Sequence, residues 1–276
     1  MDEHAGRPFE SFGAFEHAGW TEVAPVYPTS FGRVTMLAVD PLLHEAGVEP
    51  GMHVLDVACG PGFAAAAAAR LGARAMGVDF SSAMVLEAHR RTPEAEFREA
   101  DAQALPFADG TFHRVVCNFG VQHFPDPDLA LAEMTRVLRP RGRIAFTVWD
   151  ATERSEGQRL LHAAIEARGK VDVPLPDAPP AHRFADPAEV RRTLLARGLL
   201  HPRTIPLALL LRAPSARDVF EVFLRGTVRL GGQLRAQPPE LLGAIREEFK
   251  RLLAPYTVPG GVAVPMRAVL SSATKP

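Results

Sequence analysis

Four short stretches hold the residues best suited to chemistry, and each follows an apolar run. They read Asp56-Val57-Ala58-Cys59-Gly60-Pro61-Gly62, Asp79-Phe80-Ser81-Ser82-Ala83-Met84, Ala100-Asp101-Ala102-Gln103-Ala104-Leu105-Pro106-Phe107 and Cys117-Asn118-Phe119-Gly120-Val121-Gln122-His123-Phe124. Glycine at 60 and 62 lets the backbone approach a ligand with no Cβ in the way. A carboxylate at Asp79 can accept hydrogen bonds from both hydroxyls of a ribose, and one at Asp101 from an adenine amino group. Phe80 and Met84 offer apolar surface to the base. His123 is the one imidazole in the four stretches, and histidine titrates near neutrality. It can remove a proton from a hydroxyl, an amine or an acidic carbon, or it can simply pack and hydrogen-bond beside the ligand. Cys59 and Cys117 read as small packing residues, and the scattered histidines 17, 44, 162 and 182 lack metal-ligand spacing.

The elements needed to position these residues follow from the pattern around them. His53–Val57, Arg74–Val78, Ala95–Glu99, Phe112–Asn118 and Arg143–Trp149 read as strands. Between them the chain predicts helices at Phe63–Leu71, closed by Gly72, and after Ser81 or Ser82 as N-cap. A further helix opens at Asp126-Pro127, with Leu131, Met134 and Leu138 at helical spacing, and Arg139–Gly142 turns the chain into the fifth strand. Strands alternating with helices imply a parallel sheet with right-handed crossovers. In such sheets ligands bind beyond the carboxyl ends of the strands, which is where all four stretches fall.

Taken together, Val54–Phe63, Asp79 with Ser81-Ser82-Ala83-Met84, Asp101–Phe112 and the Leu138–Arg143 turn resemble class I S-adenosylmethionine-dependent methyltransferases. The similarity is greatest to the branch holding the ubiquinone and menaquinone C-methyltransferases and many natural-product enzymes, over about residues 50–150. It implies an α/β fold, with a Rossmann-like seven-stranded, mostly parallel sheet flanked by helices and an antiparallel last strand. It also implies S-adenosylmethionine as cofactor, S-adenosylhomocysteine as product and a small, hydrophobic acceptor methylated on O, C or N. Gly60 and Gly62 would line the methionine part, and Asp56 would help hold its amino group. Asp79 would bind the ribose, Asp101 with Ala102 the adenine, and Asn118 would offer a carbonyl or amide near the sulfonium. Ala58, Phe80, Met84, Gln103 and His123 complete the expected cofactor set, and Tyr27, from the aromatic group Trp20, Tyr27 and Phe31, would close over it. His113 departs from the branch, which places Asp after the phenylalanine, but it sits at the start of its strand, away from the crevice.

The flanks are expected to complete the site. Residues 1–45 read as an N-terminal helical segment, 46–150 as the cofactor core, and 151–276 as the rest of the sheet with a helical lid at about 214–256. Within the last part the pattern predicts helices at Gln158–Arg168, Ala188–Arg197, Ala216–Leu230 and Pro239–Leu253, with strands at Thr204–Arg212 and Val264–Ser272. The stretch VDVPLPDAPPAH must be an extended loop. Phe184, Val219–Leu224 and Leu230 are the apolar lid residues expected to face the acceptor, with Phe220 and Phe223 setting acceptor choice.

Composition narrows the alternatives. With 31 Lys and Arg against 32 Asp and Glu, no net field favours a nucleic acid. No run reaches the roughly 18 apolar residues of a membrane span, and the N-terminal MDEHAGRPFESF is acidic where a secretory leader is basic. A cytoplasmic protein is expected, with its oligomeric state open and a homodimer among the choices. Two further readings stand beside methyl transfer: the same fold binding the cofactor without transfer, as a regulator or for other chemistry such as ring closure, and a nicotinamide-dependent oxidoreductase. The last uses Gly60–Ala65 as G-x-G-x-x-A, a weak pattern alone. Asp56 within the strand, Pro61 between the glycines and a motif at Asp101 speak against it.

Overall fold

The central strands form where short apolar runs are covered on both faces, and the two faces of the sheet collect different partners. A computed structural model describes residues 9–276, so the first eight residues of the N-terminal reading lie outside the described part. Helices α1 (Glu10–Val23), α2 (Gly32–Thr35) and α3 (Val39–Ala46) lead into β1 (His53–Val57), α4 (Phe63–Arg70), β2 (Arg74–Asp79), α5 (Ser82–Arg91) and β3 (Glu96–Glu99). The chain continues through β4 (Phe112–Asn118), α6 (Pro127–Val137), β5 (Leu138–Trp149), α7 (Glu156–Arg168), α8 (Pro187–Ala196) and β6 (Leu200–Ala213). It ends with α9 (Ala216–Gly226), α10 (Arg229–Arg235), α11 (Pro239–Leu253), β7 (Thr257–Val258) and β8 (Gly261–Thr274).

The strand order is β3-β2-β1-β4-β5-β8-β6, with the two-residue β7 folded back on β8. Strands β1 to β5 are parallel, while β8 runs antiparallel to both β5 and β6. This is the expected seven-stranded arrangement with an added hairpin. The antiparallel strand slotted beside β5 also differs from the 3-2-1-4-5-6 order of dinucleotide-binding sheets. On one face Val54, Val116 and Ala145 pack under Leu42, Leu43, Ala64 and Ala68. On the other, Leu55, Val57, Val115, Ile144 and Phe146 pack against Leu131, Met134, Val190 and Leu194. The alanine run thus serves close helix–sheet contact, since a bulkier residue at Ala65 or Ala68, both fully buried, would force α4 off the sheet.

Three local expectations change. Arg139–Gly142 is not a separate turn: the strand begins at Leu138, opposite Phe112, and a bulge with Arg141 at φ 61° carries it on to Arg143 opposite Arg114. The helix expected over Ala216–Leu230 breaks at Thr227, which is extended. Phe31 and Ser30 crowd Gly226 there, and the Thr227 hydroxyl satisfies the broken ends by donating to the Phe223 carbonyl and accepting from the Gly231 N–H. Phe184 lies against Phe146 on the sheet, away from the lid, with ring centroids 5.9 Å apart. Ser81, rather than Ser82, caps α5, and Asp126 caps α6 as its sequence requires.

Candidate active site

Strand order reverses between β1 and β4, and the chain leaving β1, β2, β3 and β4 at their carboxyl ends surrounds a cavity of about 260 Å³. Its wall takes Asp56, Ala58 and Gly60 from the first loop, Asp79, Phe80 and Met84 from the second, Asp101, Ala102 and Gln103 from the third, and Asn118 and His123 from the fourth. Tyr27 closes it from the N-terminal segment. All of the expected cofactor residues therefore meet here except Gly62. At φ 83°, Gly62 points its missing Cβ at the Phe97 ring, whose Cζ would lie 2.8 Å away, so it serves packing behind the loop. Gly60 is the opposite case: at φ 52° its Cβ direction meets nothing within 4 Å.

Asp79 organises the first loop before any ligand arrives. One carboxylate oxygen accepts from the Gly60 N–H at 2.8 Å and the other from the Ser81 N–H at 3.0 Å. Each oxygen keeps a second lone pair for a ligand hydroxyl. Asp56 accepts from the Ala65 N–H at 2.9 Å, holding the first turn of α4, while its Oδ1 is buried without a partner. Burial raises both carboxyls, Asp56 to about 7 and Asp79 to about 6, with backbone hydrogen bonds opposing the rise. A buried carboxylate oxygen lacking a donor at a cavity wall suits a ligand ammonium. Asp101 lies at the exposed rim, its Oδ1 bound by the Gln103 N–H at 2.8 Å. The Asn118 side chain is already committed: its amide donates to the Thr35 carbonyl and its oxygen accepts from the Thr147 hydroxyl. It ties the N-terminal segment to β4 and β5 while lining the cavity.

His123 lies on the wall of this cavity and of a second, of about 580 Å³. Trp20, Tyr27, Thr35 and Phe119 line both as well, so the two spaces share one junction. Nδ1 of His123 is 2.9 Å from Oε2 of Glu16, and the same oxygen accepts from the Trp20 indole N–H at 2.8 Å. The Trp20 ring stands edge-on to His123 at 5.0 Å. Tyr27 hydrogen-bonds Thr35 at 2.9 Å, and burial pushes its phenol up to about 12, so it stays protonated. Phe119, held at φ 61° by two bonds from its N–H to Thr147, stacks on Trp149 at 4.2 Å and forms one wall of the second cavity.

Glu16, Thr35, Thr147 and Trp149 were not anticipated as site residues. Glu16 alone left a signal: it shares a helical stripe with the buried Phe12, Gly19 and Val23, an odd place for a carboxylate. Both cysteines are free and buried, and burial pushes their thiols up, which suits packing rather than nucleophilic roles. Among the described residues no three His, Cys, Asp or Glu side chains group closely enough to hold a metal.

Residues 55–146 match the methyltransferase domain family. Curated relatives match parts of the chain. A demethylmenaquinone methyltransferase of Renibacterium salmoninarum is 37% identical over 146 residues, 50% of this chain and 58% of that protein. One of Beutenbergia cavernae is 43% identical over 102 residues, 37% and 42% of the two chains. The chain thus spans about half the length of these relatives. Among solved structures, the YcgJ protein of Bacillus subtilis superposes with a TM-score of 0.58 at 19% identity, covering 87% of this chain and 98% of that one. The [4+2]-cyclase SpnF gives 0.52 at 20%, covering 87% and 80%. At such identities they establish a Rossmann-like methyltransferase fold. The matched region contains all four strand-end stretches in full and ends at Phe146 in β5.

Proposed function

We propose that the protein is an S-adenosylmethionine-dependent methyltransferase whose small-molecule acceptor enters the second cavity. The observation that carries this is the junction, where a cofactor-type cavity and a larger aromatic cavity share Trp20, Tyr27, Thr35, Phe119 and His123. The residues fit the cofactor: Gly60 leaves open space, Asp56 holds an unpaired buried oxygen for an ammonium, and Asp79 keeps lone pairs for vicinal hydroxyls. When bound, S-adenosylmethionine supplies a methyl group on an electrophilic sulfonium.

The chain's own residues then align and deprotonate. The aromatic walls exclude water and hold a flat acceptor at the junction, where alignment contributes to the barrier reduction. Glu16 fixes the His123 ring through Nδ1–H, and Nε2, which meets the Gln122 amide nitrogen at 3.3 Å, is the ring atom that would exchange that contact for a proton from an acceptor hydroxyl or acidic carbon. Demethylmenaquinone methyltransferase relatives support a quinone-related aromatic acceptor. The near-neutral charge, 31 basic against 32 acidic residues, supports action without a nucleic acid partner. No helix of the described residues is long and apolar enough to cross a membrane. Two free thiols fit a reducing compartment such as the cytoplasm.

Calorimetry with S-adenosylhomocysteine and NAD tests the first half, and transfer of labelled methyl to a panel of hydroquinones, phenols and indoles the second. Binding of the sulfonium-derived ligand with no labelled product across the panel would leave a cofactor binder that does not transfer methyl. Binding of NAD alone would remove the proposal altogether.

A further inference from the structure

The second cavity carries polar groups away from the junction that its aromatic walls do not need. Gln158 and His162 stand four residues apart on α7, hence on one face of that helix, and both line this cavity. Gln158 is only 5% exposed, and its Oε1 is buried with no partner. His182, from the proline-rich stretch closing the same side, has a buried Nδ1 without a partner, while its Nε2 meets the Thr152 hydroxyl at 3.1 Å. An orphaned acceptor inside a protein costs free energy unless a ligand or water satisfies it. Two such side chains, Gln158 and His182, with the His162 ring beside them in the cavity lining, are therefore a recognition surface.

We infer that this end of the cavity selects acceptors carrying a neutral hydrogen-bond donor, a hydroxyl or amide N–H, on the side of a flat aromatic body opposite the methylated position. This rests on the methyltransferase reading and sharpens it. The flat body follows from the stacked Phe119–Trp149 pair with Phe31 and Trp20 beside it. Donor character follows from Gln158, whose fully buried atom without a partner is the carbonyl oxygen. Neutrality follows from the lining: Arg229 and Asp177 bring one charge of each sign, and burial lowers His162 below its ordinary value, favouring the uncharged ring.

Calorimetric titration of 2-naphthol and naphthalene-2,6-diol tests this, the two compounds differing by one hydroxyl at the far end. It is run on the whole chain with and without saturating S-adenosylhomocysteine. The diol should bind about tenfold more tightly, the size of one buried neutral hydrogen bond. Gln158→Leu should cut the preference to below about threefold while leaving 2-naphthol and S-adenosylhomocysteine binding intact, which also shows that the variant is folded. His162→Phe should reduce it in part. Equal affinity of the two compounds for the native protein, or a preference undiminished in both variants, overturns the inference. A diol preference that holds in a protein transferring no methyl group supports the site and removes the reaction instead.

Discussion

Glu16 and His123 are 107 residues apart in sequence and 2.9 Å apart in the fold, with the carboxylate fully buried and the imidazole turned toward the junction of two cavities. Trp20 enforces this pose, since it binds the same carboxylate oxygen and packs against the ring. A buried carboxylate on one imidazole nitrogen sets the tautomer and leaves the other nitrogen as the acceptor of a proton. His123→Ala is expected to lower turnover about 10²–10⁴-fold, the range for loss of a general base. Glu16→Gln keeps an oxygen for Trp20 and should cost less, about ten- to a hundredfold in kcat with KM little changed. A kcat within twofold of native in a folded His123→Ala protein assigns the imidazole a packing role.

Asp79 holds the first loop through Gly60 and Ser81 and has capacity left for two ligand hydroxyls, whereas Asp101 sits at the rim on its own Gln103. Hydrogen bonds to a charged acceptor contribute about 1.5–3 kcal/mol each. Asp79→Ala should therefore weaken S-adenosylhomocysteine binding by roughly ten- to several-hundredfold, at about 1.4 kcal/mol per decade. Asp101→Ala should weaken it less. Calorimetry ranks the two, and the reverse order would move the ribose away from Asp79.

The two loop glycines separate stability from binding. Gly62→Ala drives a methyl into Phe97 at φ 83°, so its melting temperature should fall while ligand affinity in the folded protein changes little. Gly60→Ala meets open space at φ 52° and carries only the backbone strain, roughly 1–2 kcal/mol. Its methyl enters the cavity, so affinity should drop more than stability. Thermal melts and titrations of both variants give the comparison.

Ionisation of the buried acids couples folding and binding in opposite directions. Asp56 and Asp79 titrate near 7 and 6 in the fold, against about 3.9 for an aspartate in an unfolded chain. Between about pH 4 and 7 the folded protein holds more protons than the unfolded one, so its stability falls as pH rises through that window and then levels. Asp56 and Asp79 face one another, and the imidazoles of His17 and His123 face Asp79. Ligand ammonium and hydroxyl groups favour the ionised acids, so S-adenosylhomocysteine should bind more tightly at pH 8 than at pH 5.5. At roughly 2–4 °C per kcal/mol for a large domain, the free protein should melt several degrees lower at pH 8. Asp56→Asn should flatten most of that slope, and an unchanged slope would place the coupling elsewhere.

The core of the fold was legible because its signals are local. His53–Val57, Phe112–Asn118 and Pro239–Leu253 appear with the bounds their periodicity gave, since alternation, caps and prolines act within a few residues. The cofactor loop residues were legible because strand ends in a parallel sheet converge by topology alone. What escaped depends on distant neighbours. The break at Thr227 comes from Phe31 pressing on Gly226, and Gly62 faces Phe97 rather than the ligand because of where β3 lies. Glu16 acquires its meaning only when α1 is folded across the fourth loop.

The lid offers the last test, because sequence and structure assign its residues differently. Phe220 and Phe223 were expected to meet the acceptor, but both are fully buried, and Phe223 packs between Phe31 at 5.6 Å and Phe249 at 6.1 Å. The lid residues at the second cavity are instead Thr227, Val228, Arg229, Leu230 and Gln233, around the break that the sequence concealed. Phe223→Ala should therefore act as a core deletion and destabilise by about 3–5 kcal/mol. Whatever fraction stays folded should keep its acceptor preference. Leu230→Ala removes apolar wall from a half-exposed position, so the melt should barely move while KM for an aromatic acceptor rises severalfold. Cofactor affinity should stay within about threefold in both, since sites without shared contacts act independently. A Phe223→Ala protein of native stability with altered acceptor choice would return the phenylalanine to the pocket and make Leu230 the bystander.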